Sequence, residues 1–149
     1  MPITVYIDGL VEPSNPGVGT YGFAIYDGQS KLAEGSGLAG EHVTSNYAEY
    51  TALSEALRKL KSMGIEEVVV RSDSKLVVGQ MSQGWKIKGG MYLEKLKEAK
   101  ELLSQFRSVT FEWIRREENS EADLLTRVAY EKHLRVRPAH HSESDSSTR

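Results

Sequence analysis

Ile3-Thr4-Val5-Tyr6-Ile7-Asp8-Gly9 is the stretch on which this chain turns. Five consecutive β-branched or aromatic residues predict a strand, and Gly9 is expected to end it. Ile3, Val5 and Ile7 then share one face, and Thr4, Tyr6 and Asp8 share the other. Asp8 closes this apolar segment where an interior strand should open to solvent. An unpaired charge there costs several kcal/mol, on the scale of a whole domain's stability. Hydrogen-bond donors, a basic partner or a cation must compensate it.

The totals narrow the options. A chain of 149 residues with 39% hydrophobic and 27% charged residues reads as one ordinary globular domain. It has no cysteine, which excludes a disulfide framework and a thiolate nucleophile. No signal peptide is expected, because Asp8 interrupts the N-terminal apolar run, and no run reaches the roughly 20 residues of a membrane span. A cytoplasmic monomer is the resulting expectation. With a net charge of −2, any nucleic-acid contact must come from local basic clusters.

Outward from the first strand, residues 11–19 read as a turn-rich loop containing Asn15-Pro16-Gly17. Thr20–Tyr26 follows as a second strand, closed by Asp27-Gly28, and Lys31–Leu38 as a third, diluted by glycine. The period then changes. Across Thr44–Met63, Leu53, Ala56, Leu57 and Leu60 fall at helical spacing, with Gly64 as the stop. The leucines contribute about 1.5–3 kcal/mol each if buried. Four residues before Leu53 the same stripe meets Glu49, which aims a carboxylate at the core side. Glu67–Asp73 is a near-continuous apolar strand that again ends in Asp. Ser74–Ser82 is a short helix, residues 83–90 a loop, Met91–Phe106 an amphipathic helix, and Val109–Ile114 a fifth strand. After the charged turn 115–119, a last helix runs from Ser120 to about Leu134, and residues 135–149 read as a disordered polar tail. This order predicts an α/β domain over residues 1–134. Its five-stranded mixed sheet has three antiparallel strands, then parallel ones, flanked by helices. Sites in such sheets form beyond the carboxyl ends of strands.

Each later carboxylate has a local structural alternative. Asn46 and Glu49, and Ser120 and Asp123, have capping-box spacing, and Asp73 is placed to cap the helix after it. Asp8 has no such role, since no helix starts at Gly9. Spacing leaves both options open for the other three.

Tyr6-Ile7-Asp8-Gly9, Asn15-Pro16-Gly17, Asn46-Tyr47-Ala48-Glu49, Ser72-Asp73-Ser74 and Asn119-Ser120-Glu121-Ala122-Asp123 together resemble type 1 ribonuclease H, in particular its compact archaeal-type and bacterial members. The match covers about residues 1–134. The resemblance implies the ribonuclease H-like fold and endonucleolytic cleavage of the RNA strand of an RNA–DNA hybrid, leaving 3′-hydroxyl and 5′-phosphate ends. It implies a catalytic and metal-binding set of Asp8, Glu49, Asp73 and Asp123, with Asp8 bridging two ions. Hard cations such as Mg²⁺ prefer oxygen ligands, and Mn²⁺ is an alternative. Two such ions about 3.5–4 Å apart clamp an in-line displacement at phosphorus. The substrate contacts carried over are Asn15, Ser45 and Asn46 on the RNA side, with Ser74, Lys75 and Asn119 beside the acidic residues. Trp85, Lys86 and Lys88 are expected to seat the DNA backbone, extended by Lys95 and Arg127. Duplex RNA is a second candidate substrate.

The chain departs from the family in several places. Ser45 stands where many members carry Asn, and Lys75 where Gln is common. The family's mobile His before the last Asp is missing from residues 113–118. Arg115 or Arg116 is expected to take over its contact with the scissile phosphate or product. None of His42, His133, His140 and His141 occupies the matching position, and the tail pair offers at most an incidental metal contact. The basic protrusion of many bacterial members is replaced by residues 83–90. Two other readings share the fold: a non-catalytic duplex-binding module, and a 3′–5′ exonuclease, which usually carries Asp-x-Glu where this chain has Asp8-Gly9-Leu10.

Overall fold

The alternation in the first strand places it at the centre of the sheet. The structure, a computed structural model, describes residues 2–141, with side chains through residue 136. Strands β1 (Ile3–Glu12), β2 (Gly17–Asp27) and β3 (Ser30–Val43) form an antiparallel meander. Helix α1 (Ser45–Ser62), β4 (Glu67–Ser72), α2 (Lys75–Ser82), α3 (Leu93–Leu103), β5 (Ser108–Trp113) and α4 (Ser120–His141) follow. The sheet order is β3-β2-β1-β4-β5, with β4 parallel to β1 and β5 parallel to β4. This is the expected mixed sheet.

Val5, Ile7 and Ile25 are buried against Leu53, Leu57 and Leu60 of α1, so the helical stripe packs on the apolar face of the strands. Two glycines set the helix positions. A Cβ on Gly9 would lie 2.5 Å from the backbone of Ala48 and Glu49 in α1. A Cβ on Gly22 would lie 2.6 Å from the Ala122 carbonyl of α4. Gly22 pairs with Asp8, and Gly9 is the next residue along β1. Since adjacent strand residues face opposite ways, α1 and α4 cover opposite faces, each drawn close by a missing side chain.

Helix α3 is shorter than the expected Met91–Phe106, β4 stops at Ser72, just before Asp73, and three boundaries differ further. First, β1 runs on to Glu12 and β2 starts at Gly17, so most of the expected loop is ladder. Asp8 is therefore not the last residue of its strand: it still pairs with Gly22, but the parallel ladder to β4 stops one residue earlier, at Ile7–Ser72. Asp8 sits where one neighbouring strand ends and the other continues. Second, β3 continues past Leu38 to Val43. Third, α4 extends past Leu134 to His141, its later turns joined by an Arg135–Glu131 ion pair at 3.6 Å. The side chains of His140 and His141, and residues 142–149 of the expected tail, lie outside the described residues. No described helix is long and apolar enough to cross a membrane.

Candidate active site

For Glu49 and Asp73 the local capping alternatives resolve against the carboxylates. Thr44 caps α1, its hydroxyl accepting from the Tyr47 N–H at 3.3 Å, so Glu49 lies beyond the capping turn. Ser74 caps α2 by accepting from Val77 N–H at 3.2 Å, which leaves the Asp73 carboxylate without that duty. Both side chains are thereby available where β1 and β4 part.

Asp8, Glu49 and Asp73 each offer a carboxylate oxygen within 4.8 Å of the others. Asp123, on the first turn of α4, stays outside that triad but lies close enough for its charge to act on Asp8. Its Oδ2 also accepts from Arg127 Nε at 3.2 Å, an i,i+4 pair. Asp8 is only 6% exposed. Burial, followed by repulsion from Asp73 and Asp123, pushes its carboxyl up to about 8. Burial raises Glu49 well above the usual carboxylate range too, with Asp8 and Asp73 adding to the effect and Arg116 opposing it. The Glu49 Oε1 atom is sealed from solvent with no hydrogen-bond partner. Converging hard oxygen donors, mutual repulsion and an orphaned buried oxygen fit a divalent cation.

Asn119 has a different place from the substrate contact expected of it. It is 1% exposed, so no substrate can reach it. Its Nδ2 donates to the Ile7 carbonyl at 2.8 Å and to Asp73 Oδ2 at 3.2 Å. The amide fills the notch where the β1–β4 ladder stops and ties Asp73 to the residue before Asp8. Trp113 holds Asp73 from the other side, its indole N–H donating to the Asp73 carbonyl at 3.1 Å.

The remaining expected residues surround this cluster. Asn15 and Ser45 bind each other twice: Asn15 Nδ2 donates to the Ser45 hydroxyl at 3.0 Å, and Ser45 N–H donates to Asn15 Oδ1 at 3.1 Å. That clip fastens the β1–β2 turn to the start of α1. Asn46, Leu76, Gln80, Trp85, Lys86 and Lys88 line a groove of ≈ 540 Å³. Trp85 is 45% exposed rather than buried as a core anchor, with its ring lying on Gly79. Lys75 stacks its ammonium over Trp113, 5.1 Å from the ring centre. Lys95 is engaged by Glu98 at 3.1 Å and by the face of Tyr47, and Arg127 by Asp123, so neither extends the Trp85 surface as a free cation. Of the two arginines, Arg115 is held by Glu118, at 3.5 Å, in the turn before α4. Arg116 is exposed, and its charge is the one that Glu49 feels. His133 lies 3.4 Å from Glu41, on the β3–α4 side.

Comparison with known proteins bears on the family and the fold. Residues 7–129 match the family model described as reverse transcriptase-like. The chain is 38% identical over 131 residues to a bifunctional protein of Mycobacterium tuberculosis. It is 34% identical over 143 residues to the ribonuclease H of Pelobacter propionicus, covering 86% of this chain and 84% of that protein. Among solved structures, LC11-RNase H1, determined in complex with RNA/DNA hybrid, superposes with a TM-score of 0.82 at 35% identity, covering 89% of this chain and 99% of that one. Fold and acidic site thus define a ribonuclease H-like domain. More narrowly, the chain belongs to the type 1 ribonuclease H family. It spans 87% of itself but only 35% of the mycobacterial relative's length.

Two positions that matter were not singled out from sequence. Gly22 is a glycine inside a strand, a recognised signal of close backbone approach. Gln80, described below, carried no signal, because a polar residue on a short helix reads as solvent-facing.

Proposed function

We propose that this protein is a divalent-metal-dependent endoribonuclease that cleaves the RNA strand of RNA–DNA hybrids, leaving 3′-hydroxyl and 5′-phosphate ends. The observation that carries this reading is the meeting of Asp8, Glu49 and Asp73 within one ligand shell, with the charge of Asp123 acting on Asp8. A duplex-binding module would gain nothing from such a cluster, which repels phosphate. Bound there, Mg²⁺ or Mn²⁺ ions would supply an activated water and offset charge on the leaving oxygen.

The chain's own residues do the rest. The four carboxylates would hold the ions, and Asn119 keeps Asp73 at a fixed distance from β1. Arg116, the arginine that acts on Glu49, contacts the scissile phosphate or the departing product in place of the family's histidine. Arg115 is the lesser candidate because Glu118 already holds it. The Asn15–Ser45 clip and Asn46 face the RNA strand, where 2′-hydroxyls distinguish hybrid from DNA. Ser74 and Lys75 lie beside Asp73, with Lys75 placed for a phosphate. Trp85, Lys86 and Lys88 receive the DNA backbone.

Incubating end-labelled hybrid, duplex RNA and duplex DNA with Mg²⁺, Mn²⁺ or EDTA tests the proposal. Internal cuts in hybrid RNA that stop with EDTA are expected. A ladder from one end would indicate an exonuclease, and binding without cleavage a recognition module.

A further inference from the structure

Gln80 is a buried side chain on α2 whose amide is fully committed to one purpose. Its Oε1 accepts from the Tyr50 hydroxyl at 2.7 Å. Its Nε2 donates to the Lys86 carbonyl at 3.2 Å and to the Tyr92 hydroxyl at 3.1 Å. Tyr92 in turn donates its own proton to the Lys88 carbonyl at 2.8 Å. This chain of donors fixes the amide's orientation: a carbonyl can only accept, so the nitrogen must face Lys86. The rings of Tyr50 and Tyr92 stack at 5.8 Å and close the network off from water. In addition, Trp85 N–H donates to the Gly79 carbonyl at 3.1 Å.

The backbone of residues 85–88 is thus tied at Trp85, Lys86 and Lys88, and Ile87 turns inward against the core. Lys86 and Lys88 are left exposed on either side of it, with both stems on the same ≈ 540 Å³ groove as Asn46 and Trp85. A loop this short and this glycine-rich (Gly84, Gly89, Gly90) has no regular ladder of its own, so its conformation rests on these side-chain bonds.

We propose that Gln80 is a positioning residue for substrate grip. By pinning the Lys86 carbonyl directly and the Lys88 carbonyl through Tyr92, it holds their ammonium groups and Trp85 in the arrangement that receives the phosphate backbone of the hybrid. The loop then acts as a preorganised contact in place of a larger basic insertion. The inference rests on the hybrid-cleaving function proposed above. Preorganisation lowers the ordering cost at binding, so losing it weakens binding and spares the chemical step.

The test compares the full chain with Gln80→Met, which keeps the length of the side chain and removes its hydrogen bonds. Gln80→Glu keeps an acceptor for Tyr50 but has no donor for Lys86, and Tyr92→Phe removes only the hydroxyl. Two measurements are made on each. In limited trypsin digestion without substrate, cutting after Lys86 or Lys88 is expected to speed up by about tenfold in Gln80→Met and Gln80→Glu, and by less in Tyr92→Phe. In hybrid cleavage, KM is expected to rise by about tenfold with kcat within about twofold of the parent. A Gln80→Met protein with unchanged proteolysis at these lysines, or with unchanged KM, overturns the inference, as does a loss confined to kcat. If Gln80→Met does not fold, Tyr92→Phe, which keeps the ring, decides by the same criteria. If the parent chain neither binds nor cuts hybrid, the proposed function fails, while the digestion pattern still decides whether Gln80 pins the loop.

Discussion

Replacing Asp8 with Asn keeps the size of the side chain and removes one charge from the most crowded point of the site. In the metal-free protein the Asp8 carboxyl holds its proton up to about pH 8, against an ordinary value of 3.8. Burial is the main cause, with repulsion from Asp73 and Asp123 behind it. The folded state therefore keeps a proton that the unfolded chain has already released. That contribution to stability is fully present below about pH 4 and is lost as pH rises through about 8. A rise this large, counted whole, corresponds to about 5–6 kcal/mol. The repulsion is shared with neighbouring carboxylates, and Gly9 N–H donates to Asp8 at 2.9 Å, so removing one charge recovers only part of it. The expected gain for Asp8→Asn at pH 8 in EDTA is about 2–3 kcal/mol, or about 5–10 °C in Tm for a chain of this size. The gain should shrink towards pH 4. Thermal or urea unfolding of both proteins, with EDTA and with Mn²⁺, reads this directly. Mn²⁺ should stabilise the parent chain and leave Asp8→Asn nearly unchanged. The reasoning is refuted if Asp8→Asn is less stable than its parent at pH 8 in EDTA, or if both gain equally from Mn²⁺.

Four further outcomes follow from the same geometry. Gly9→Ala puts a Cβ 2.5 Å from the α1 backbone, so Glu49 must shift. Cleavage should fall by about a hundredfold, with about 1–3 kcal/mol lost in urea unfolding. Asn119→Ala leaves the Ile7 carbonyl and Asp73 without their donor and should cost about 1–3 kcal/mol, together with weaker Mn²⁺ binding by calorimetry. Arg116→Ala should lower kcat by about tenfold or more, while Arg115→Ala leaves kcat unchanged; equal kcat in both variants and the parent would remove Arg116 from the mechanism. With Lys75, Lys86, Lys88 and Arg116 as the phosphate contacts, log Kd for hybrid should vary with log salt by a slope of about 3–4, and a slope implying eight or more contacts contradicts the short-loop surface.

Much of this site was legible because local patterns carry it. The alternation of Ile3 to Asp8 fixed which side chains share a face, and the Leu53, Leu57 and Leu60 stripe carried Glu49 to the core side of α1. The capping alternatives were equally consistent with spacing. For Glu49 and Asp73 they fell only because Thr44, two positions before Asn46, and Ser74, one after Asp73, take those bonds. Strand lengths were misjudged where glycine served packing instead of turning. Gly17 and Gly19 look like loop, yet both lie in β2, and a Cβ on Gly19 would meet Val43 at 2.4 Å. The substrate contact at Asn119 is one that the family resemblance carries over, not one that spacing indicates. The true partner of Asn119, the Ile7 carbonyl, is 112 residues away and leaves no periodic trace. Gln80 leaves no periodic trace either, since its amide joins the Tyr50 hydroxyl of α1 to the Lys86 carbonyl of a loop. The reach of α4 to His141 lay beyond the apolar pattern used to end it.

Anomalous scattering from Mn²⁺-soaked crystals tests most directly whether these acidic side chains share a cation pair. Two ions are expected, both ligated by Asp8, with Glu49, Asp73 and Asp123 completing their shells, and neither ion in Asp8→Asn crystals. Ions bound only at surface carboxylates away from Asp8, or the same two peaks in the Asp8→Asn protein, would contradict the account.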